Sequence, residues 1–92
     1  ANERLRVKEV LIEAGYYVSE SEVNFYILRD PDLTNQLPLI RYLLTNGIVP
    51  RHTENFRGLD GRWIRLAIKS KLENEQLINV LLSWKKLHRP KA

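Results

Sequence analysis

The alternation of apolar and polar residues divides the chain into short segments. Leu5, Val7, Val10, Leu11 and Ala14 recur at i, i+3/i+4 and predict a helix over 3–14. Gly15 stands where a helix C′ residue belongs. Tyr16-Tyr17-Val18 is aromatic and β-branched and reads as a short strand, followed by the polar break Ser19–Glu22. From Val23 to Arg29 the pattern alternates: Val23, Phe25 and Ile27 on one face, Asn24, Tyr26 and Leu28 on the other. That is strand periodicity, and Pro31 ends it by removing a ladder donor.

Thr34 is the expected N-cap of the next helix, with Pro38 in its first turn and Leu37, Ile40, Leu43 and Leu44 as its stripe. Asn46-Gly47 stops it. Ile48-Val49 begins a strand that Pro50 ends or places at an edge. Residues 52–61 have no apolar period and include Gly58 and Gly61, so they form a loop anchored by Phe56 and Leu59. Trp63 to Ile68 alternates: Trp63, Arg65 and Ala67 face one way, Ile64, Leu66 and Ile68 the other. Ser70 and Glu73 make a capping-box pattern at the head of a last helix with stripe Leu77, Val80, Leu81 and Trp84.

Helix, strand, strand, helix, strand, strand, helix with short connections reads as an α+β fold. The expected form is a two-layer sandwich, a small, mostly antiparallel sheet with helices packed on one face. At 92 residues the expectation is a single domain over 1–92.

Composition narrows the function classes. With no cysteine, disulfide frameworks, cysteine nucleophiles and thiolate metal sites drop out. His52 and His88 are far apart and predict no zinc site. No apolar run approaches the ~20 residues of a membrane span. The N-terminus leads straight into a charged amphipathic pattern, so no signal peptide is expected and a cytoplasmic setting fits. Starting at Ala1 without methionine reads as a processed or excised piece. The net charge of +4 permits nucleic-acid binding, but the cations are dispersed except for Lys85, Lys86, His88, Arg89 and Lys91 at the end. The aromatic residues Tyr16, Tyr17, Phe25, Tyr26 and Trp63 read as scattered, so a stand-alone basic binding module, for nucleic acid or a protein partner, is the alternative rather than the first expectation.

Arg65 stands out at the centre of a strand. It is either an edge-strand arginine open to water or a guanidinium offered to an anion, for which its planar fork is suited. Arg51, opening a loop after a strand end, is the second candidate, with a solvated loop arginine as the other reading. Arg57, Arg62 and His52 read as surface residues. Trp63 and Trp84 read as packing residues. No nucleophile–base constellation is present.

Five motifs occur in order: Ser21-Glu22-Val23-Asn24-Phe25, Gly47-Ile48-Val49-Pro50-Arg51, Asn55-Phe56-Arg57-Gly58-Leu59, Trp63-Ile64-Arg65-Leu66-Ala67-Ile68 and Glu73-Asn74-Glu75-Gln76-Leu77. Together they resemble the C-terminal small domain of fold-type I pyridoxal-phosphate (PLP) enzymes. The branch is the one containing histidinol-phosphate aminotransferase and threonine-phosphate decarboxylase. The Phe-Arg-Gly-Leu-Asp-Gly loop is closer to the decarboxylase side, an activity of cobalamin biosynthesis.

The resemblance implies that Arg65 grips the substrate carboxylate. It also implies that Arg51, fourteen positions earlier, helps hold the phosphate of a phosphorylated amino-acid-like substrate. Pro50 replaces the usual small aliphatic residue and His52 a common acidic one. The Schiff-base lysine, the cofactor's aspartate and its phosphate cup are implied to lie in a large PLP-binding domain of a homodimeric parent. Lys8, Lys69 and Lys71 match no such site, so the chain alone is expected neither to bind PLP tightly nor to turn over substrate.

Overall fold

Two glycines set the ends of the first two helices. The computed structural model describes residues 3–19, 25–50 and 62–88. Helix α1 spans Glu3–Glu13. Gly15 follows it at φ +103°, a left-handed conformation that glycine adopts without a Cβ penalty. The Gly15 N–H then bonds the Ile12 carbonyl and the Tyr16 N–H the Leu11 carbonyl, both at 3.0 Å. This is the Schellman arrangement, and it satisfies carbonyls that a helix end otherwise leaves bare. Helix α2, Leu37–Thr45, ends the same way: Gly47 at φ +80°, its N–H on Leu44, and the Ile48 N–H on Leu43.

Strands β1 (Tyr17–Val18), β2 (Phe25–Arg29) and β3 (Ile64–Ala67) form a sheet in the order β1-β2-β3. Both pairings are antiparallel. Tyr17 lies opposite Arg29; Phe25, Ile27 and Leu28 lie opposite Ala67, Arg65 and Ile64. Helix α3 spans Lys71–Leu87, capped by Ser70, whose Oγ accepts the Glu73 N–H and donates to Glu73 Oε1.

One apolar core joins the layers. Tyr26, Leu28, Ile64 and Leu66 from the sheet pack with Val7 and Leu11 of α1, Leu39 and Leu43 of α2, and Leu77, Ile78, Leu81 and Trp84 of α3. The α+β architecture with helices on one sheet face is the one expected from the sequence.

Three details differ. Ile48-Val49 forms no strand. The Ile48 N–H is already spent on the α2 cap and Pro50 has none, which leaves too few donors for a ladder. Thr34 is not the N-cap of α2: Gln36 holds that position, and Asn35 Oδ1 accepts the Leu37 N–H at 2.8 Å. The helix is therefore rotated from the predicted stripe, with Leu39 and Leu43 inward and Leu37 and Leu44 exposed. The cause is Gln36, fully buried, whose amide bonds the Asp30 N–H and carbonyl and so winds the preceding turn around Asp30.

Asp30 is the polar centre of the molecule. Its carboxylate accepts from Trp84 Nε1 and Lys85 Nζ, both at 2.7 Å, and from the Asp32 N–H at 3.0 Å. Burial by itself raises its pKa. The hydrogen bonds from Lys85, Trp84 and Asp32 and the Lys85 charge outweigh burial and hold the carboxyl below the usual range. Lys85 also lies over the Tyr16 ring, and the Tyr16 hydroxyl donates to the Leu81 carbonyl. At the other end of α3, buried Asn74 bonds the Lys69 N–H and carbonyl and donates to Glu3. Glu3 in turn takes two bonds from Arg6, which also reaches Glu75 at 2.6 Å.

Candidate functional site

The sheet face away from the helices follows from side-chain alternation. Burial of Ile64 and Leu66 in the core turns Arg65 and Ala67 to the opposite side, with Trp63 just before the strand. In β2, burial of Tyr26 and Leu28 likewise turns Phe25, Ile27 and Arg29 outward. The register sets Ile27 beside Arg65 and Phe25 diagonally beside it. All of these outward residues are half-buried.

Arg65 is on β3, at the edge of the described three-stranded sheet, as one of the two sequence readings has it. It is not simply immersed in water. Its guanidinium carbon lies 4.2 Å from the centre of the Phe25 ring. Such a cation–π contact fixes the plane of the guanidinium while its N–H groups remain directed around its edge. A planar fork held by a ring on a strand is suited to pairing with a carboxylate or phosphate.

Arg51 lies outside the described residues, as do His52 and Arg57. The chain leading to Arg51 is described. Ile48, Val49 and Pro50 line a cavity of about 460 Å³ together with Leu66, Ala67 and Lys69. Pro50, next to Arg51, and Ala67, two positions after Arg65, thus border the same space. Arg62 is exposed. Trp84 is core, as expected. Trp63 is half-buried on the open face with the Arg29 guanidinium 5.7 Å from its ring.

The aromatic residues are not scattered. Tyr17 pairs with Arg29, so Tyr17, Phe25 and Trp63 share the open face with Arg29 and Arg65, while Tyr16 and Tyr26 are buried in the core. Sequence reading missed this because it depends on which residue of β2 meets which of β3. It also missed Phe25 as the support for Arg65. The alternation of both strands was visible, but the register joining them was not.

No family model matches the sequence. The histidinol-phosphate aminotransferase of Deinococcus radiodurans is 34% identical over 91 residues, 87% of this chain and 24% of that protein. The crystal structure of the histidinol-phosphate aminotransferase from Clostridium acetobutylicum superposes with a TM-score of 0.82 at 31% identity. The match covers 94% of this chain and 26% of that one. A decarboxylase from Sulfurospirillum multivorans superposes with a TM-score of 0.76 at 32% identity, over 89% of this chain and 24% of that one.

The chain matches a fragment of the fold-type I PLP-enzyme family. It spans about a quarter of the length of the curated relative it matches. Enzymes of this family depend on PLP for their electronic chemistry.

Two of the described lysines are engaged within the domain. Lys85 is held on Asp30 and over Tyr16. Lys69 pairs with Glu73 at 3.7 Å on the exposed flank of α3. Among the described residues there is no group of histidine, cysteine, aspartate and glutamate that could hold a metal ion, and no helix long and apolar enough to cross a membrane.

Proposed function

We propose that residues 1–92 form one domain, the C-terminal small domain of a PLP-dependent aminotransferase or amino-acid-phosphate decarboxylase. Its task is to position substrate. Arg65 grips the substrate carboxylate, and Arg51 holds the phosphate of a phosphorylated amino-acid-like substrate. The observation that carries the reading is Arg65 itself: a guanidinium on the open sheet face, laid against Phe25 at 4.2 Å, in a chain matching aminotransferases over most of its length.

The physics of two such grips is orientation. A carboxylate held bidentately and a phosphate held some distance away leave the substrate few ways to lie, which removes orientational entropy before reaction. The cofactor, when bound in the parent enzyme, supplies the electron sink. Its Schiff-base lysine and phosphate cup belong to a large domain of that parent, a cytoplasmic homodimer on this reading.

Aminotransferase and decarboxylase chemistry use the same two grips. Matches to both kinds of enzyme support keeping both. The sequence Phe56-Arg57-Gly58-Leu59-Asp60-Gly61 favours a threonine-phosphate decarboxylase-like activity of cobalamin biosynthesis. Assaying the full parent with histidinol phosphate and 2-oxoglutarate, and separately with threonine phosphate, tests the proposal. Transamination of the first or CO2 release from the second supports it. An intact parent that acts on neither rejects it.

The gathering of Tyr17, Phe25 and Trp63 with Arg29 and Arg65 on one sheet face supports a second reading, a binder of single-stranded nucleic acid. RNA binding that weakens steeply with salt would favour it.

A further inference from the structure

Four side chains make a rectangle on the open sheet face. Arg65 and Ala67 stand two apart on β3, and Ile27 and Phe25 two apart on β2. Ile27 lies opposite Arg65, and Phe25 opposite Ala67. The contact between Arg65 and Phe25 therefore runs along a diagonal rather than across a directly paired position. Diagonal neighbours in an antiparallel pair are about 7–8 Å apart, a span that long and aromatic side chains can cross. The guanidinium carbon ends 4.2 Å from the Phe25 ring centre, inside the roughly 6 Å range of a cation–π contact.

The corner facing Phe25 keeps that diagonal open. Ala67 carries a single methyl group, where strands favour branched or aromatic side chains. A branched residue at 67 would stand directly across from Phe25, at the roughly 4.5–5.5 Å Cβ spacing of paired positions. It would contest the volume in which ring and guanidinium meet. All four residues are half-buried, so the contact is partly shielded from water. Arginine has several rotatable bonds. A guanidinium already laid on a ring has less freedom left to lose when an anion binds.

We infer that Phe25 and Ala67 are positioning residues for Arg65. The ring holds the guanidinium in one orientation, and the small side chain at 67 leaves the ring room to do so. The pair acts through Arg65, on a carboxylate-bearing substrate. This inference rests on the reading of Arg65 as the carboxylate grip.

Steady-state kinetics of the full parent test it, with whichever carboxylate substrate the parent uses, 2-oxoglutarate or threonine phosphate. Phe25→Leu, which removes the ring, is expected to lower kcat/KM by roughly three- to thirtyfold. The guanidinium is held before and during reaction alike, so the loss falls on KM and kcat stays within about twofold. Phe25→Tyr keeps a ring and stays near wild type. Ala67→Val keeps Phe25 but crowds it. Valine suits a strand, so the fold is retained while KM rises as in Phe25→Leu. In an Arg65→Ala parent, adding Phe25→Leu changes kcat/KM by less than about twofold, because the residue it acts through is gone.

Wild-type KM in Phe25→Leu, or a loss of the same size with and without Arg65, overturns the role of Phe25. Phe25→Tyr as impaired as Phe25→Leu overturns the role of the ring. Wild-type KM in Ala67→Val overturns the role of Ala67, and this variant decides by itself should Phe25→Leu fail to fold. Wild-type kinetics of Arg65→Ala in an active parent reject the carboxylate reading itself. An impaired Arg65→Ala beside an unimpaired Phe25→Leu rejects this inference alone.

Discussion

The Asp30 carboxylate and the Lys85 ammonium meet at 2.7 Å, with Asp30 almost wholly buried at the end of β2 and Lys85 near the end of α3. The pair fastens the last helix to the turn that precedes α2. Breaking a buried ion pair by deleting one partner leaves the other charge uncompensated, at a cost of about 3–5 kcal/mol. Asp30→Ala is expected to lose that much, against the roughly 5–15 kcal/mol total of a typical domain. Asp30→Asn keeps an acceptor for Trp84 and loses less. Urea denaturation of the chain and its variants measures both; an Asp30→Ala midpoint equal to wild type contradicts the role.

The same carboxylate predicts an acid transition. Its folded pKa is depressed, and Glu3, bonded by Arg6 and Asn74, is brought down to about 2. Depressed carboxylates stabilise the fold above their unfolded values near 4. That contribution falls away as pH drops through the folded values. Stability is therefore full above about pH 5 and declines below about pH 4. In Asp30→Asn the decline between those conditions and pH 2 is shallower, as urea midpoints against pH will show. Identical slopes in wild type and variant contradict it.

Gly47 tests the helix ends. A Cβ there meets nothing within 4 Å, so any cost comes from the backbone at φ +80°. Placing an L-residue in the left-handed region costs roughly 1–2 kcal/mol. Gly47→Ala is expected to lower the thermal midpoint accordingly, with Gly47→Asn milder because asparagine tolerates that conformation. Equal midpoints for glycine and alanine contradict the cap.

Asn74 joins three segments through Lys69, Glu3 and its own helix. Asn74→Leu is close in size but strands the Lys69 N–H and carbonyl. Each buried group left unpaired costs about 1–3 kcal/mol. Asn74→Leu is expected to destabilise the chain by at least that amount in denaturant unfolding, and a neutral result contradicts it.

What the sequence showed in advance was whatever is periodic. The strand and helix faces of β2, β3 and α3 follow from alternation and the 3.6-residue repeat, and Gly15 and Gly47 mark the ends of α1 and α2. What it concealed depends on distant residues meeting. Asp30 and Gln36 look like turn and loop residues, yet together they set the rotation of α2. Asn74 looks like a polar position on a helix, yet it is buried. Phe25 reads as one apolar residue among several until the β2–β3 register lays it against Arg65. Arg65 itself was legible as an unusual strand-centre cation; its support was not.

The central claim is that Arg65 grips a substrate carboxylate, and steady-state kinetics of the full parent test it. A charge-assisted bidentate contact contributes about 1.5–3 kcal/mol. Arg65→Ala is thus expected to lower kcat/KM by roughly tenfold to more than a hundredfold, with the far-UV spectrum and thermal midpoint kept near wild type. Arg65→Lys keeps the charge without the fork and recovers part of the loss. An Arg65→Ala parent that folds normally and retains wild-type kcat/KM contradicts the assignment.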